Sequence, residues 1–466
     1  MKNGKLDCKG RFAVDGSRFT GHRLRHLGLQ IGYGFRGFLL FILLLMATVG
    51  QAQQEKTKTV ERTFDLTKEG RVAVDHRYGL LKVVASKDDK VHLTARIRIQ
   101  GTDNEEIERA LSQFEVDINE FGNQVTIETD LGIKNWNGRN GRITLTFKNG
   151  AKVKGLKKFT VEMLLAVPEL QALSLKNKYE DIIIDHDFRG DVEVSVYDGD
   201  FRAQKIGGEL EMTVKYGKAF LTDIQNADIT LYDSEMELGA AKDVRLSSKY
   251  SELTIGDTDN LKIKAYDDKM ELGNVRGKLE ISDRYSEFRM GSFNTAFFDI
   301  YDADLVGKKG KSMTVFGSRY SSFKFGAVEE LMVDESYDDK FTFKEVGNFK
   351  VSKSRYTEFN VDNLTGAIGL LASYDDQLDI ASIADSFEGL KVDGKYTKVN
   401  MRIPTSVKYK LDAAMTHGNI DYPEDDFESQ YYKEKSSILE VRGQVKGALA
   451  DAPIIEVRGY DCQIKL

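Results

Sequence analysis

From Lys178 to Lys395 the chain repeats a two-residue signature thirteen times, in two alternating forms. Lys-Tyr or Arg-Tyr stands at Lys178-Tyr179, Lys215-Tyr216, Lys249-Tyr250, Arg284-Tyr285, Arg319-Tyr320, Arg355-Tyr356 and Lys395-Tyr396. Tyr-Asp stands between them, at Tyr197-Asp198, Tyr232-Asp233, Tyr266-Asp267, Tyr301-Asp302, Tyr337-Asp338 and Tyr374-Asp375. Successive copies mostly start 17 to 19 residues apart, with a last step of 21. A unit this short cannot bury its own apolar face and must stack on copies of itself. The repeat therefore predicts a mainly β fold: a single-stranded parallel β-solenoid, or β-helix, of about 13 or more coils of 17–19 residues.

The flanking residues give each coil its strands. Four residues after each signature begins stands an apolar side chain, as in Met236, Leu253, Met270, Phe288, Phe323 and Phe341. Another follows two residues later, as in Leu238, Ile255, Leu272, Met290, Phe325 and Phe343, with Gly307 as the exception. A second alternating stretch precedes each signature, as in Leu261-x-Ile263-x-Ala265. Period-two alternation marks strands with one face inward, so each coil is two short strands with the dipeptide opening the corner between them. The four prolines, Pro168, Pro404, Pro423 and Pro453, all fall outside 169–403. That is expected where most strand N–H groups donate to a neighbour.

Stacking places equivalent residues about 4.8 Å apart. An unbroken column of Lys at that spacing would cost roughly 0.9 kcal/mol per neighbour even in bulk water. Alternation avoids this, setting cations about 9.6 Å apart, near the Debye length at physiological salt. Each cation then lies between two rings, where cation–π contact contributes about 0.5–1 kcal/mol. In the second column Tyr alternates with Asp, so a phenol hydroxyl has a carboxylate to donate to. Stacking alone accounts for this ladder. The functional reading of the same residues is a ligand track carried by Tyr197, Tyr232, Tyr266, Tyr301, Tyr337 and Tyr374.

An open solenoid end exposes strand edges and needs a cap. Residues 53–170 are expected to form a small α+β N-terminal cap, 171–403 the solenoid, and 404–466 the last coils with a short β cap. Arg77-Tyr78 with Leu81 and Val83 matches the repeat and starts the first coil. Thr102-x-x-Glu105 reads as a capping box opening a helix near Asn104–Phe114. Val91–Ile99, Gln124–Asp130, Arg142–Phe147 and Phe159–Val167 read as strands. At the far end Tyr460-Asp461 restores the signature and closes the chain on one last coil. Lys134, Trp136, Arg139 and Arg142 form a basic loop around the single Trp. Such a loop suits an anionic glycan, or serves as a solvated hairpin that protects an edge.

Residues 1–52 read as an export signal. The twelve-residue apolar run Phe38 to Val49 follows Arg23, Arg25 and Arg36, and small residues at Gly50-Gln51-Ala52 place cleavage before Gln53. The run is shorter than the roughly 20 residues a membrane span requires. The protein is expected in the periplasm, at the cell surface or secreted, with no transmembrane span in the mature chain. Cleavage would take the net charge from −7 to about −13, which argues against nucleic acid as a partner. Cys462 would then stand alone, unable to form an internal disulfide. His76, His92, His186 and His417 show no metal-ligand spacing, and no nucleophile elbow or phosphate-binding Gly loop occurs. No cofactor is implied.

With its apparent export signal, Arg77-Tyr78-Gly79 followed by a helix-bearing insertion, and recurring Tyr-x-x-x coils, the chain resembles the bacterial putative-adhesin family of β-strand-repeat envelope proteins. The resemblance implies a single-stranded β-helix in the envelope and carries no active-site motif. The expected function is a non-enzymatic, adhesin-like scaffold or binding surface, its partner an envelope polysaccharide or a protein. A glycan-binding module using the Tyr track is the alternative, and a polysaccharide-acting β-helix enzyme a more distant one. β-Helices host enzymes as well, but the ladder here shows no break by non-repeating Asp, Arg or Lys.

Overall fold

The computed structural model describes residues 54–139 and 141–466. The leader and its cleavage point lie outside them. Strands make up 70% of the structure and helix about 3%, in parallel stacked coils that form a β-solenoid of about 13 turns. This is the predicted fold class.

Each coil runs a longer strand into the dipeptide and a shorter one out of it. In one coil these are Ile224–Tyr232 and Glu235–Leu238. Both pair in parallel with the next coil, matching Tyr232 to Lys249 and Met236 to Leu253. The signature residues stay in file throughout: Lys178 faces Tyr197, Tyr197 faces Lys215, and Arg319 faces both Tyr301 and Tyr337. Ile229, Leu231, Met236 and Leu238 point inward and are buried, as the alternation predicts.

The corner itself has a conformation that the sequence pattern does not announce. The second residue of every signature lies at positive φ, from 48° at Asp233 to 73° at Tyr179. A left-handed conformation costs a non-glycine residue about 1–2 kcal/mol, and Asp is far more tolerant of it than Tyr. The neighbouring coil offsets that cost. Asp233 N–H donates to Lys249 C=O at 3.0 Å and Tyr250 N–H to Tyr266 C=O at 3.1 Å, so the ladder continues around the bend.

Interior packing explains the break in the apolar series at Gly307. A Cβ there would lie 2.3 Å from the Phe325 ring and 3.1 Å from Met290. The space belongs to the neighbouring coils' side chains. Beyond it Phe323, Phe341 and Phe359 stack in one file, with centroids 4.5 and 5.2 Å apart.

The N-terminal end is closed by a change from parallel to antiparallel pairing. The first coil is β2 (Arg71–Arg77) and β3 (Leu81–Ala85), and β1 (Gln54–Phe64) precedes it. β4 (Val91–Gly101) leads to α1 (Asn104–Gln113), the hairpin β5 (Asp117–Phe121) and β6 (Gln124–Glu128), then β7 (Ile133–Arg139), β8 (Arg142–Phe147) and β9 (Lys152–Val167). β6 extends the stack beyond β2, and β9 beyond β3, both in parallel. β4 then pairs antiparallel to β9, and β1 antiparallel to β4. The helix forms where expected, but its N-cap is Asp103, not Thr102. The Asp103 carboxylate accepts from Glu105 N–H at 2.9 Å, so no Thr-led box is made.

At the C-terminal end the order in space departs from the order in sequence. The coil at Tyr460 pairs with Lys395 on one side and Thr416 on the other. It is therefore inserted between coils and does not close the stack. Lys410–Thr416 and Asn419–Asp421 form the outermost coil, with His417 at the corner, and the hairpin Phe427–Lys435/Ile438–Val445 covers its edge. Thr416-His417 carries neither signature, which hid this coil from the repeat pattern.

Phe341 has no exposed surface and is stacked on both sides. Phe341→Ala is expected to cost about 3–5 kcal/mol, read as a lowered melting temperature and faster local proteolysis near coil 341.

Candidate functional site

The corners align into a continuous file of tyrosine rings. It runs from Tyr78 through Tyr179, Tyr197, Tyr216, Tyr232, Tyr250 and onward to Tyr396 and Tyr460, with His417 at its end. Neighbouring centroids lie between 5.3 Å, at Tyr197–Tyr216, and 6.1 Å, at Tyr179–Tyr197. Nearly all meet edge to face, the arrangement that the ring quadrupole favours. First-column and second-column tyrosines belong to the same file. The left-handed turn at the second residue brings its ring onto that of the next coil's first residue.

This geometry corrects two expectations. Cation–π contact along the track is made at Lys249 over Tyr266, 6.0 Å, and at Arg355 over Tyr374, 5.3 Å, not at every cation. Tyrosine hydroxyls of the file make no hydrogen bond to the corner aspartates among the described residues. The rings take each other as partners and leave the charges outside. The six expected track residues Tyr197, Tyr232, Tyr266, Tyr301, Tyr337 and Tyr374 are thus only part of the file. The second-column members Tyr179, Tyr216, Tyr250, Tyr285, Tyr320, Tyr356 and Tyr396 are each 40–47% exposed, as is first-column Tyr197 at 41%.

Two rows of charge flank the file. On the first-column side stand Lys178, Lys215, Lys249, Arg284, Arg319, Arg355 and Lys395; on the second-column side stand Asp198, Asp233, Asp267, Asp302, Asp338 and Asp375. Neither row makes a salt bridge among the described residues. Elsewhere charges pair across coils, as in Lys269–Glu252 at 2.9 Å, Lys340–Glu358 at 2.8 Å and Lys262–Glu280 at 2.8 Å. Both corner rows are left without ion pairs along their whole length.

Beneath the rings runs a second file that sequence reading missed. Ser251, Asp268, Ser286, Ser321, Asp339, Thr357, Asp376 and Thr397 occupy the position after the dipeptide, and all are buried. Asp339 accepts from Ser336 Oγ at 2.6 Å, Ser321 N at 2.8 Å, Ser318 Oγ at 3.0 Å and Tyr337 N at 3.1 Å. Asp376 is held in the same way by Ser354, Ser373, Thr357 and Tyr374. Burial pushes the Asp268, Asp339 and Asp376 carboxyls above the usual range, against these hydrogen bonds, and takes Asp283 up to about 6. Cys462 fills the same position in the inserted coil and donates to Gly394 C=O at 3.3 Å, its thiol pushed up by burial. These buried groups hold the corner together. The signal that could have found them is the Ser/Thr/Asp residue that follows most later dipeptides.

Beside the file lies a groove of about 1050 Å³, lined by Tyr266, Tyr285, Tyr301 and Tyr337 and by Lys264, Arg284, Arg319, Lys353 and Arg355. On its walls the exposed acids are Asp299 and Glu335, and Glu335 pairs with Lys353 at 3.0 Å.

The basic loop is a hairpin of β7 and β8, with Trp136 opposite Leu145 and 57% exposed. Trp136, Arg139 and Arg142 line a cleft of about 730 Å³ with Lys152, Lys154 and the N-terminus of α1. Lys134 is exposed and lies outside that lining. Acids absent from the loop sequence arrive from the helix, where Glu106 accepts from Lys154 N at 2.7 Å and pairs with Arg109 at 2.8 Å. His76 is buried, donating to Val161 C=O at 2.8 Å and accepting from Thr129 Oγ1 at 3.0 Å; burial takes its pKa down to about 4. Among the described residues no cluster of His, Cys, Asp and Glu is arranged to hold a metal ion, and no helix is long and apolar enough to cross a membrane.

No protein-family model matches the chain, and no curated protein does. Among solved structures it is similar to a putative adhesin from Bacteroides fragilis, at 15% identity and a TM-score of 0.26, covering 55% of this chain and 96% of that one. It is also similar to a putative cell adhesion protein from Clostridium sporogenes, at 9% identity and a TM-score of 0.16, covering 88% and 98%. A third is a putative lipid binding protein from Parabacteroides distasonis, at 11% identity and a TM-score of 0.20, covering 74% and 97%.

Asp283 gives the corner a measurable pH dependence. Its folded pKa lies above the usual 3.8, so the stability of its protonated form is complete below about pH 4 and lost as pH rises through about 6. Asp283→Asn keeps an acceptor without the charge. It is expected to gain about 1–3 kcal/mol on the parent between pH 4 and pH 7, measured as the difference in urea midpoints.

Proposed function

We propose that the protein is an exported, non-enzymatic, adhesin-like solenoid of the cell envelope that binds a partner along its corner track. The observation that carries this reading is the pair of unpaired charge rows beside the tyrosine file. Exposed rings and unpaired charges repeated at a fixed pitch suit an extended partner that makes the same contact many times. Such contacts add up through multivalency even where each is weak. Export is supported by the arginine-flanked apolar run and the small residues before Gln53. The basic hairpin, with its acids supplied by α1, is read as edge protection for the cap.

Purified protein screened against envelope polysaccharides is expected to bind saturably and leave chain lengths unchanged; shortened products would overturn the non-enzymatic reading. Tyr216→Ala/Tyr250→Ala/Tyr285→Ala is expected to weaken binding at least tenfold. The corresponding Phe variants should retain it, because they keep the ring, and Trp136→Ala should leave it unchanged. Export is checked separately by N-terminal sequencing of protein recovered from the envelope or medium, with Gln53 as the expected first residue.

A further inference from the structure

We infer that the groove beside the tyrosine file takes an acidic linear polysaccharide with one carboxylate or sulfate per disaccharide, laid along the solenoid axis at one disaccharide per two coils. This rests on the corner track being the binding surface.

Three observations point to that ligand. The first is pitch. Arg284, Arg319 and Arg355 recur at every second coil, about 9.6 Å apart at the usual strand spacing, which matches two pyranose rings joined in an extended chain. The second is the content of each two-coil unit. Along the groove it offers a cation without an ion pair from Arg284, Arg319 or Arg355 and ring surface from Tyr266, Tyr285, Tyr301 and Tyr337, and the one free exposed aspartate on the walls is Asp299. An anionic sugar meets the guanidinium as a charge-assisted, bidentate pair. The apolar face of a sugar lies against the ring, and its hydroxyls donate to the aspartate.

The third observation is the sign and shape of the groove. With Lys353 and Glu335 paired to each other, four cations, Lys264, Arg284, Arg319 and Arg355, line it against Asp299, while Asp283 is turned into the protein at 5% exposure. The net negative charge of the chain does not oppose this, since exposed charges beyond about 8 Å are screened at physiological salt. A concave channel of about 1050 Å³ spanning several coils suits a slender chain better than a flat protein face.

The test uses the purified protein in titration calorimetry with three sets of oligosaccharides: alternating uronic acid and N-acetylhexosamine, neutral β-1,4-linked glucose, and oligogalacturonate. The alternating acid is expected to bind at least tenfold tighter than the neutral series, to tighten with each added disaccharide, and to weaken as salt is raised. Arg284→Gln/Arg319→Gln/Arg355→Gln should lose this binding with the melting temperature lowered only slightly, because these side chains make no ion pair in the fold and only Arg355 lies over a ring, that of Tyr374. Neutral chains bound as tightly as acidic ones, with the triple variant unaffected, would overturn the acidic ligand and leave the corner track standing. Absence of binding to all three sets would overturn the glycan altogether. A dimer in light scattering that the triple variant abolishes would assign the groove to a second copy of this chain.

Discussion

Backbone hydrogen bonds between coils, carried around a left-handed corner without a gap, are the interaction on which this structure depends. Strand pairing alone would hold two flat faces in register. The corner determines whether register survives the bend, and there the second residue of each signature donates to the carbonyl of the next coil. A strained φ at every copy is tolerated because each N–H so placed has a partner. In-register pairing then follows along the chain, and with it the identity of each residue's neighbours above and below.

From that register the chemistry of the surface follows. Rings meet rings edge to face because the left-handed residue lands on the next coil's tyrosine. Cations and aspartates fall in different columns and form no ion pair with each other, whereas charges on the faces of the solenoid pair across coils, as at Lys269–Glu252 and Lys340–Glu358. The buried Ser, Thr and Asp residues beneath the rings satisfy the backbone where the chain reverses. A surface built this way repeats one small set of contacts many times, which is why an extended partner is a better fit than a compact one.

How far the sequence could be read varied with the kind of information. Strands inside the solenoid were legible because burial on one face writes a period of two into the residues, and Met236, Leu238, Leu253 and Ile255 are buried as that period demands. The cap helix was legible as an element, but its cap was not, since Thr102 and Asp103 are both competent and only backbone geometry selects Asp103. Gly307 looked like a defect in the pattern until Phe325 was seen to occupy its space. The candidate track was half legible: the first-column tyrosines stood out, while their second-column partners were read as a separate ladder with Asp.

The sequence by itself determined that coils of 17 to 19 residues stack in parallel, because so short a unit has nowhere else to bury its apolar face. It also determined that like charges would be kept two coils apart. Only the tertiary structure decided that the two tyrosine columns merge into one file, because that depends on a left-handed dihedral which neither Tyr nor Asp announces. The same holds for the order of the last coils. The segment ending the chain slides between Lys395 and Thr416, a placement set by which open strand edges remain to be paired and not by where a signature falls in the sequence.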